Sequence, residues 1–462
     1  MSNKPDRITF QKRLEDMVGT LRREIITRVK PAGDYLPSEL ALAEQYKLSK
    51  KSVRKGLELL VSEGLITKVP RVGNRINSME TEGSVSLKIG IYPSLEEETD
   101  FRELISTFCS KYPHIQVETI ALPYHRYPEA IKSYLDHGWL DVITLNHWNF
   151  LETKERESLH LFEEQEAHPD AYPFLQPVLS HNGILYGRPF VFSPVVLCYN
   201  KELLKQSGIS EPDSSWSWKD LSKAAKTLKK GGSPFGFYAH IASTNRFPIV
   251  LLQEGYRFQK EDGKYVFNDP ELWKALSGLR DVFYSQGAFS SFLSEADADA
   301  EKLFLQQKAA MIMTTYYGLK YLKNADFAYD LAPVPYHDHA KTIMLVTGLA
   351  VNRQSKQKEA ARLLVDFLTS AEAQLHIRQH TLSIPASKHA AEWRGEESMY
   401  RPSRFQLYRE IIPTFGTYDD LAISIRELDM LRNELKLFWA NMEEAEQAAQ
   451  RLAPRPVQPS RT

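Results

Sequence analysis

Residues 33–62 read GDYLPSELALAEQYKLSKKSVRKGLELLVS, and this stretch decides the fold of the first part of the chain. Ser38 and Ser49 each stand directly before a helical pattern, where a serine hydroxyl can cap the first turn. Apolar residues at helical spacing from Leu14 to Val29 predict an additional helix before these two. Residues 65–77 predict a two-stranded hairpin with its tip at residues 70–74. The pattern therefore predicts three helices followed by a hairpin.

The polar face of the third predicted helix is basic over its first two turns. A helix that enters the major groove of DNA presents its N-terminal end, where such side chains reach phosphates and base edges. Arg71 and Arg75 flank the hairpin tip, and such a hairpin can act as a wing that contacts the minor groove or the backbone of DNA. A basic helix face can also be a simple solvated surface, but the caps, turn and hairpin together favour DNA binding. We expect DNA contacts from Ser38, Lys50, Lys51, Ser52, Arg54, Lys55, Arg71, Gly73, Asn74 and Arg75.

Charge is distributed unevenly along the chain. Residues 1–78 hold 16 Lys and Arg against 9 Asp and Glu, a net charge of +7, whereas the remainder holds 42 against 50, a net charge of −8. A basic head on an acidic body indicates a polyanionic partner for the head alone.

The order of these motifs resembles the winged helix-turn-helix of GntR-family bacterial regulators over residues 8–78. The family has a Gly-x-x-Leu-Pro-Ser-Glu segment, a Ser-basic-x-Thr/Ser-Val-Arg helix and a Gly-rich wing, found here at residues 33–39, 49–54 and 71–76. The chain departs from this pattern at Leu40, Lys50, Arg71 and Asn74. Lys50 replaces a usual arginine and so lacks the bidentate geometry that reads guanine.

The larger second part begins with strands and helices in alternation. Apolar runs at residues 87–92, 115–120 and 141–145 are separated by helical patterns, which predicts a mostly parallel sheet with covering helices. Ligands of such sheets bind beyond the carboxyl ends of the strands. Those ends are residues 93–94 and 146–148, and their polar and aromatic side chains suit a sugar.

Later segments resemble the family 1 extracellular solute-binding proteins, the carbohydrate receptors of bacterial importers. The resemblance covers residues 87–450 and is carried best by residues 199–201, 218–221 and 308–311. It implies two α/β lobes with a ligand cleft between them, and it also brings His240, Asn245 and Arg246 towards that cleft. The ligand residues that we expect are Pro93, Ser94, Asn146, His147, Trp148, Phe192, Ser193, Tyr316, Tyr317, Thr347 and Gly348.

The predicted architecture is therefore multidomain. An α+β winged helix-turn-helix at residues 1–78 is followed by a linker at 79–86. A type II periplasmic-binding-protein-like domain spans 87–452, with lobe crossings near 193–195 and 347–349 and a third candidate near 385–403, and a disordered tail spans 453–462. Residues 428–452 predict one long amphipathic helix, and Glu96, Glu97 and Glu98 predict a solvated helix start, or else a carboxylate at the cleft rim.

Several classes of protein do not fit this sequence. The two cysteines, Cys109 and Cys198, have no zinc-binding spacing, so we expect buried thiols and neither a metal nor a cofactor. The polar N-terminus has no apolar signal-peptide core, and no apolar run is long enough for a membrane span. We therefore expect a cytoplasmic protein that does not bind membranes.

Together these features predict a non-enzymatic regulator, a homodimeric repressor of carbohydrate genes that binds double-stranded operator DNA and a small carbohydrate effector. The choice between repressor and activator stays open, and so does whether the ligand releases or strengthens DNA binding. One alternative is a head fused to a pyridoxal-phosphate aminotransferase-like body, which needs a Schiff-base lysine with Asp and Arg partners. Another is a glycosidase-like body, which needs paired carboxylates around one bond. Neither motif set stands out in the sequence.

Overall fold

The computed structural model describes residues 7–26, 29–62, 65–70, 72–77, 85–122, 127–285, 294–397 and 399–453. The chain divides into two compact units, residues 1–86 with 106–117, and residues 87–105 with 118–462. Arg71, most of the predicted linker and all but the first residue of the predicted tail lie outside the described residues. Below, "the head" is residues 7–77 and "the body" is residues 85–453.

The head contains three helices and a hairpin, as its sequence predicts. They are α1 (Arg7–Ile26), α2 (Glu39–Gln45), α3 (Lys50–Ser62), β1 (Ile66–Val69) and β2 (Gly73–Ile76). The Ser38 hydroxyl accepts a bond from the Ala41 N–H, and the Ser49 hydroxyl accepts one from the Ser52 N–H, both at 3.2 Å. These caps fix where α2 and α3 begin. A Cβ on Gly56 would stand 2.6 Å from Met17, so glycine lets α1 and α3 approach closely.

The body alternates strands with helices. Its strands are β3 (Val85–Ile91), β4 (Ile115–Ala121), β5 (Val142–Asn146), β6 (Ser180–His181), β7 (Ile184–Leu185), β8 (Arg188–Asn200), β9 (Phe235–Tyr238), β10 (Lys260–Glu261), β11 (Lys264–Tyr265), β12 (Ala309–Thr315), β13 (Tyr329–Ala332), β14 (Thr342–Val351), β15 (Ile384–Pro385) and β16 (Phe415–Gly416). Its helices up to the middle are α4 (Leu95–Thr99), α5 (Phe101–Lys111), α6 (Tyr127–Asp136), α7 (His147–Glu155), α8 (Lys201–Gln206), α9 (Trp218–Lys230), α10 (Pro248–Gln253), α11 (Pro270–Tyr284) and α12 (Ala298–Leu305). The later helices are α13 (Lys358–Leu368), α14 (Ala371–His380), α15 (Lys388–Ala391), α16 (Leu407–Glu410), α17 (Ile425–Glu434), α18 (Lys436–Trp439) and α19 (Ala445–Leu452).

One mixed sheet runs through the body in the order β4-β3-β5-β14-β8-β12-β9. The pairs β3–β5 and β12–β9 are parallel, whereas β14 is antiparallel to β5 and β8, and β8 is antiparallel to β12. The long strand β8 pairs with β14 up to Pro194 and with β12 from Val195 onward. One continuous strand therefore joins the first lobe, around β3–β5, to the second lobe, around β9 and β12.

The C-terminal region corrects the prediction of one long helix at residues 428–452. Three short helices, α17, α18 and α19, replace it. Asn441 has a φ of 57°, in the left-handed region that ends a helix. The interruption lets Phe438 and Trp439 reach the core while Met442 stays exposed. Apolar spacing alone does not reveal such a break, because the spacing continues across it in the sequence.

Candidate functional site

The N-terminal half of α3 presents a basic surface on the head. Lys50, Lys51, Arg54 and Lys55 are exposed on its first two turns, as the sequence predicts. Ser52 is instead buried, and its hydroxyl lies 2.7 Å from that of Ser49, within the cap of the helix. Ser52 thus shapes the start of the helix, while the four cations form the surface that DNA could contact.

Arg54 is held by a carboxylate on the neighbouring helix. Its Nη2 lies 2.9 Å from Oε2 of Glu39, and its Nε lies 3.3 Å from Oε1. The guanidinium lowers the pKa of Glu39, and the carboxylate raises that of Arg54. Both side chains reach solvent, so the pair orients Arg54 without burying it.

The hairpin adds another predicted cation to the exposed surface of the head. Arg75 lies opposite Thr67 in the β1–β2 pair and is exposed, whereas Asn74 is buried. The Asn74 side chain is therefore not placed for a DNA contact in this geometry, which differs from the prediction. Gly73 has a φ of 146°, a backbone state that L side chains rarely adopt, so it sets the turn.

In the body, the loops after β3 and β5 are joined through Tyr92. Its hydroxyl accepts bonds from the Asn146 N–H at 3.2 Å and from Nδ2 of Asn149 at 2.6 Å. Oδ1 of Asn146 accepts the Asn149 N–H at 2.8 Å and so caps α7. These contacts leave Asn146 mainly a positioning residue that fixes where α7 begins.

Ser94, Thr347 and Tyr317, three predicted ligand residues, lie around one ion pair between the lobes. Nζ of Lys320 lies 3.0 Å from Oε1 of Glu98 and 3.3 Å from the Ser94 carbonyl oxygen. Burial raises the pKa of Tyr317 well above its usual range, the Glu98 carboxylate adds to this, and Thr347 opposes it. The strand register shifts between Thr347 and Gly348, and such irregularities often aim a side chain at a site.

Glu98 corrects the prediction of a solvated acidic helix start. Its side chain is buried, and burial raises its pKa although Lys320 opposes the shift. The alternative that a carboxylate lies at the cleft fits better. Lys320 was not predicted, and the only available signal was its position three residues after Tyr317.

His147 and Trp148 meet a loop from the C-terminal region. Nε2 of the buried His147 lies 3.0 Å from Oδ2 of Asp419. Burial opposes the shift, but His147 and Lys154 lower the pKa of Asp419 to about 2. The half-buried Trp148 packs edge-on against Tyr418, with ring centroids 5.2 Å apart. Trp148 can therefore offer a face to a ligand, while His147 serves the contact between segments.

A polar cluster lies behind Tyr418 in the second lobe. The Tyr418 hydroxyl donates to Oδ1 of Asn245 at 2.6 Å, and Nδ2 of Asn245 donates to Oδ2 of Asp297 at 3.2 Å. Arg246 is buried with its Nη2 3.8 Å from Asp297, and its Nε has no hydrogen-bond partner within the described part of the chain. The resemblance placed Asn245 and Arg246 near the cleft, but no sequence signal indicated Asp297.

Glu301 lies beside the same cluster. The Thr314 hydroxyl donates to its carboxylate, and burial raises the pKa of Glu301 to about 7 although that bond opposes the shift. A Cβ on Gly318 would crowd Oε1 of Glu301 and the Thr314 hydroxyl, so glycine leaves room for this hydrogen-bonded pair. The second lobe thus contains a buried carboxyl group, that of Glu301, whose raised pKa lets it titrate near neutral pH.

Four other predicted ligand residues lie within the packed interior. Tyr316 is fully buried, and its hydroxyl donates to the Phe405 carbonyl oxygen at 2.8 Å. Phe192 packs edge-on against Tyr408. Ser193 accepts the Tyr316 N–H at 2.7 Å, and a Cβ on Gly348 would stand 2.4 Å from Leu179. These residues pack in the interior where the lobes connect, whereas Pro93 is exposed.

The described residues contain no cluster of three or more His, Cys, Asp or Glu that could hold a metal ion. Within the same residues, no helix has the length and apolar character needed to cross a membrane. Cys198 is buried and Cys109 is half-buried, and both are free thiols.

Two protein families match this chain. Residues 92–375 match the family described as bacterial extracellular solute-binding protein. Residues 14–76 match bacterial regulatory proteins of the gntR family. The two matches do not overlap, and they fall on the body and the head respectively.

Among curated proteins, the sn-glycerol-3-phosphate-binding periplasmic protein UgpB of Escherichia coli (strain K12) is similar to this chain. It is 27% identical over 238 residues, which are 48% of this chain and 53% of that relative. The chain thus spans about half the length of the curated relatives that it matches.

Solved structures share the fold of the body. The ABC substrate-binding protein Lmo0181 from Listeria monocytogenes, in complex with cycloalternan, has a TM-score of 0.68 at 21% identity, over 80% of this chain and 97% of that chain. Maltose-bound MalE3 of T. maritima has a TM-score of 0.66 at 19% identity, over 79% and 97%. At such identities the likeness establishes the two-lobe fold alone.

Proposed function

We propose that this chain, which belongs to the bacterial extracellular solute-binding protein family and carries a gntR-family regulatory domain, is a DNA-binding transcription regulator that senses a sugar or oligosaccharide. The observation that carries the proposal is the presence of both families on one chain. Neither family is enzymatic, so the regulator would act by binding alone. The proposed site of action is the cytoplasm, where operator DNA is accessible.

The side chains that we expect at the cleft suit a polyhydroxylated ligand. Tyr317 and Trp148 offer aromatic faces on which a sugar ring can stack. Thr347 offers a hydroxyl, and the Glu98–Lys320 pair offers an acceptor and a donor of hydrogen bonds. Two of the structural neighbours are complexes with cycloalternan and with maltose, which supports the same class of ligand.

A phosphorylated polyol is a second candidate. Arg246 is buried and its Nε lacks a hydrogen-bond partner among the described residues. An arginine fork binds phosphate oxygens well. The curated relative is named for binding sn-glycerol 3-phosphate, which supports including this compound in any screen.

The proposed mechanism couples lobe closure to DNA binding. A ligand that contacts both lobes favours the closed form only by its greater affinity for that form, typically about 1–3 kcal/mol. Two heads in a homodimer would read half-sites about 10 base pairs apart, so a change in their geometry would alter operator affinity. A gel-shift titration with and without the ligand gives the sign of this change in operator affinity.

A thermal-shift screen of mono- and oligosaccharides, with sn-glycerol 3-phosphate included, tests the proposed ligand class. A true ligand at 100 times its Kd stabilises the body by about 2.7 kcal/mol. Tyr317→Ala should lose this response, while the matched control Tyr134→Ala, on α6, should keep it. If the identified ligand leaves operator affinity unchanged in a gel-shift titration, the proposed regulatory function is wrong.

A further inference from the structure

A pocket of about 420 Å³ lies beside α14, formed by residues other than those of the cleft. Arg378, Arg394, Glu397, Arg401 and Phe405 line it, together with Pro402, Ser403 and Gln406. Three of these side chains are cationic and one is anionic. The pocket therefore carries an excess of positive charge.

Two buried guanidinium groups share one carboxylate in this pocket. The side chains of Arg378 and Arg401 are only 3% and 4% exposed, and both pair with Glu397. Nη1 of Arg378 lies 3.1 Å from Oε2 of Glu397, and Nε of Arg401 lies 2.6 Å from the same oxygen. One carboxylate cannot neutralise two buried cations, and an uncompensated buried charge is strongly destabilising.

The hydrogen bonds of the two arginines are also incomplete. Nε of Arg378 and Nη1 of Arg401 are buried and have no partner among the residues that the structure describes. The Phe405 ring partly compensates, because both guanidinium groups lie over it, 5.1 and 4.6 Å from its centroid. A ring face accepts no strong hydrogen bond, so two N–H donors still need an acceptor.

We infer that this pocket binds a doubly charged tetrahedral oxyanion, inorganic phosphate or the phosphoryl group of a monoester. Such an anion supplies both the missing negative charge and several acceptor oxygens, and it suits the planar fork of arginine. Arg394 is exposed at the pocket and is placed to attract the anion from solvent. This site is separate from the cleft, so it holds whether or not the cleft binds a sugar.

Thermal unfolding with increasing inorganic phosphate, at ionic strength held constant with NaCl, tests the site. All seven tryptophans lie between residues 139 and 439, so their fluorescence follows the body. We expect a saturable rise in Tm for the natural chain. Arg394→Glu should need at least about tenfold more phosphate for the same rise, since a cation at the pocket becomes an anion.

The matched control is Arg257→Glu, an exposed site elsewhere with the same charge change. It should behave as the natural chain. A parallel titration with methyl phosphate separates the two sources, because only a pocket open to esters responds to it. Equal phosphate dependence in Arg394→Glu and Arg257→Glu, or no saturable effect on the natural chain, would overturn the inference.

Because Arg394 is exposed, its replacement leaves the buried pair intact and the protein folded. The response of Arg394→Glu to a cleft ligand should be unchanged. Loss of the phosphate response alone therefore concerns this pocket, and loss of the sugar response alone concerns the proposed function.

Discussion

The head and the body each hold an ion pair of almost equal length, yet the two pairs sit in different surroundings. Glu39 and Arg54 in the head lie 2.9 Å apart with side chains 26% and 55% exposed. Glu98 and Lys320 in the body lie 3.0 Å apart with side chains 11% and 12% exposed. Water screens the first pair and leaves the second largely unscreened. Breaking the head pair should therefore cost little, whereas removing one partner of the body pair should cost much more.

The largest expected effect follows from breaking the body pair on one side only. Lys320→Ala leaves the buried Glu98 carboxylate without its cation, and such a loss destabilises a protein by about 3–5 kcal/mol. Urea unfolding followed by tryptophan fluorescence measures this directly on the body. The loss should be greater at pH 8 than at pH 5, because Glu98, whose pKa is already raised, can protonate at the lower pH.

The double variant Lys320→Ala, Glu98→Gln is the control for this prediction. Removing the stranded charge should restore most of the lost stability. If the single variant loses under about 1 kcal/mol, the body pair behaves as a surface pair and the contrast with the head is wrong.

A second prediction concerns Glu301, whose pKa is raised to about 7 in the folded body. The folded state holds a proton on this group between about pH 4.5 and 7 that the unfolded state releases. Its stabilising effect is therefore complete below about pH 4.5 and is lost as pH rises, by about 3 kcal/mol in all. Glu301→Gln should flatten this part of the stability profile measured by urea unfolding, while exposed Glu261→Gln should not.

In the head, Arg54→Ala should weaken operator binding about tenfold in gel-shift titrations, if Arg54 reads a base. Arg54→Lys sharpens the test. Lysine keeps the charge but not the planar fork of arginine. Arg54→Lys should therefore keep the operator affinity of the natural chain if Arg54 contacts a phosphate, and lose affinity as Arg54→Ala does if Arg54 contacts a base. Unchanged affinity in Arg54→Ala would remove this residue from the interface.

The smallest expected effect is that of Glu39→Ala. An exposed pair contributes little, so the stability of the head should change by less than about 1 kcal/mol. Hydrogen exchange of the α2 and α3 amides measures this within the intact chain. The change should shrink further at 1 M salt, where charges are screened within about 3 Å. A loss as large as that of Lys320→Ala would erase the distinction between the two pairs.

Local signals in the sequence predicted the fold well. Ser38 and Ser49 mark helix starts, because a cap depends on residues three apart in the chain. The two family resemblances predicted the GntR domain and the two-lobe fold, and both are confirmed. The assignments of DNA and ligand contacts stay predictions.

Details of the site were harder to predict because they depend on distant partners. The sequence predicts a solvated Glu98, because nothing near this residue in the sequence indicates that Lys320, 222 residues later, lies against it. Tyr316 and Tyr317 are neighbours of the same type, but only the structure shows that Tyr316 is fully buried and Tyr317 half-buried. Asn441 ended a helix that apolar spacing alone would continue.

Strand β8 has a mechanical consequence. Because the same strand is bonded to β14 before Pro194 and to β12 after it, the lobes share one backbone and cannot slide apart. Opening of the lobes must instead bend or twist this strand near the Pro194–Val195 peptide bond, while its hydrogen bonds to β14 and β12 persist. Its amide protons should therefore exchange slowly, and the range over which the two lobes can open is set by how far this one strand can flex.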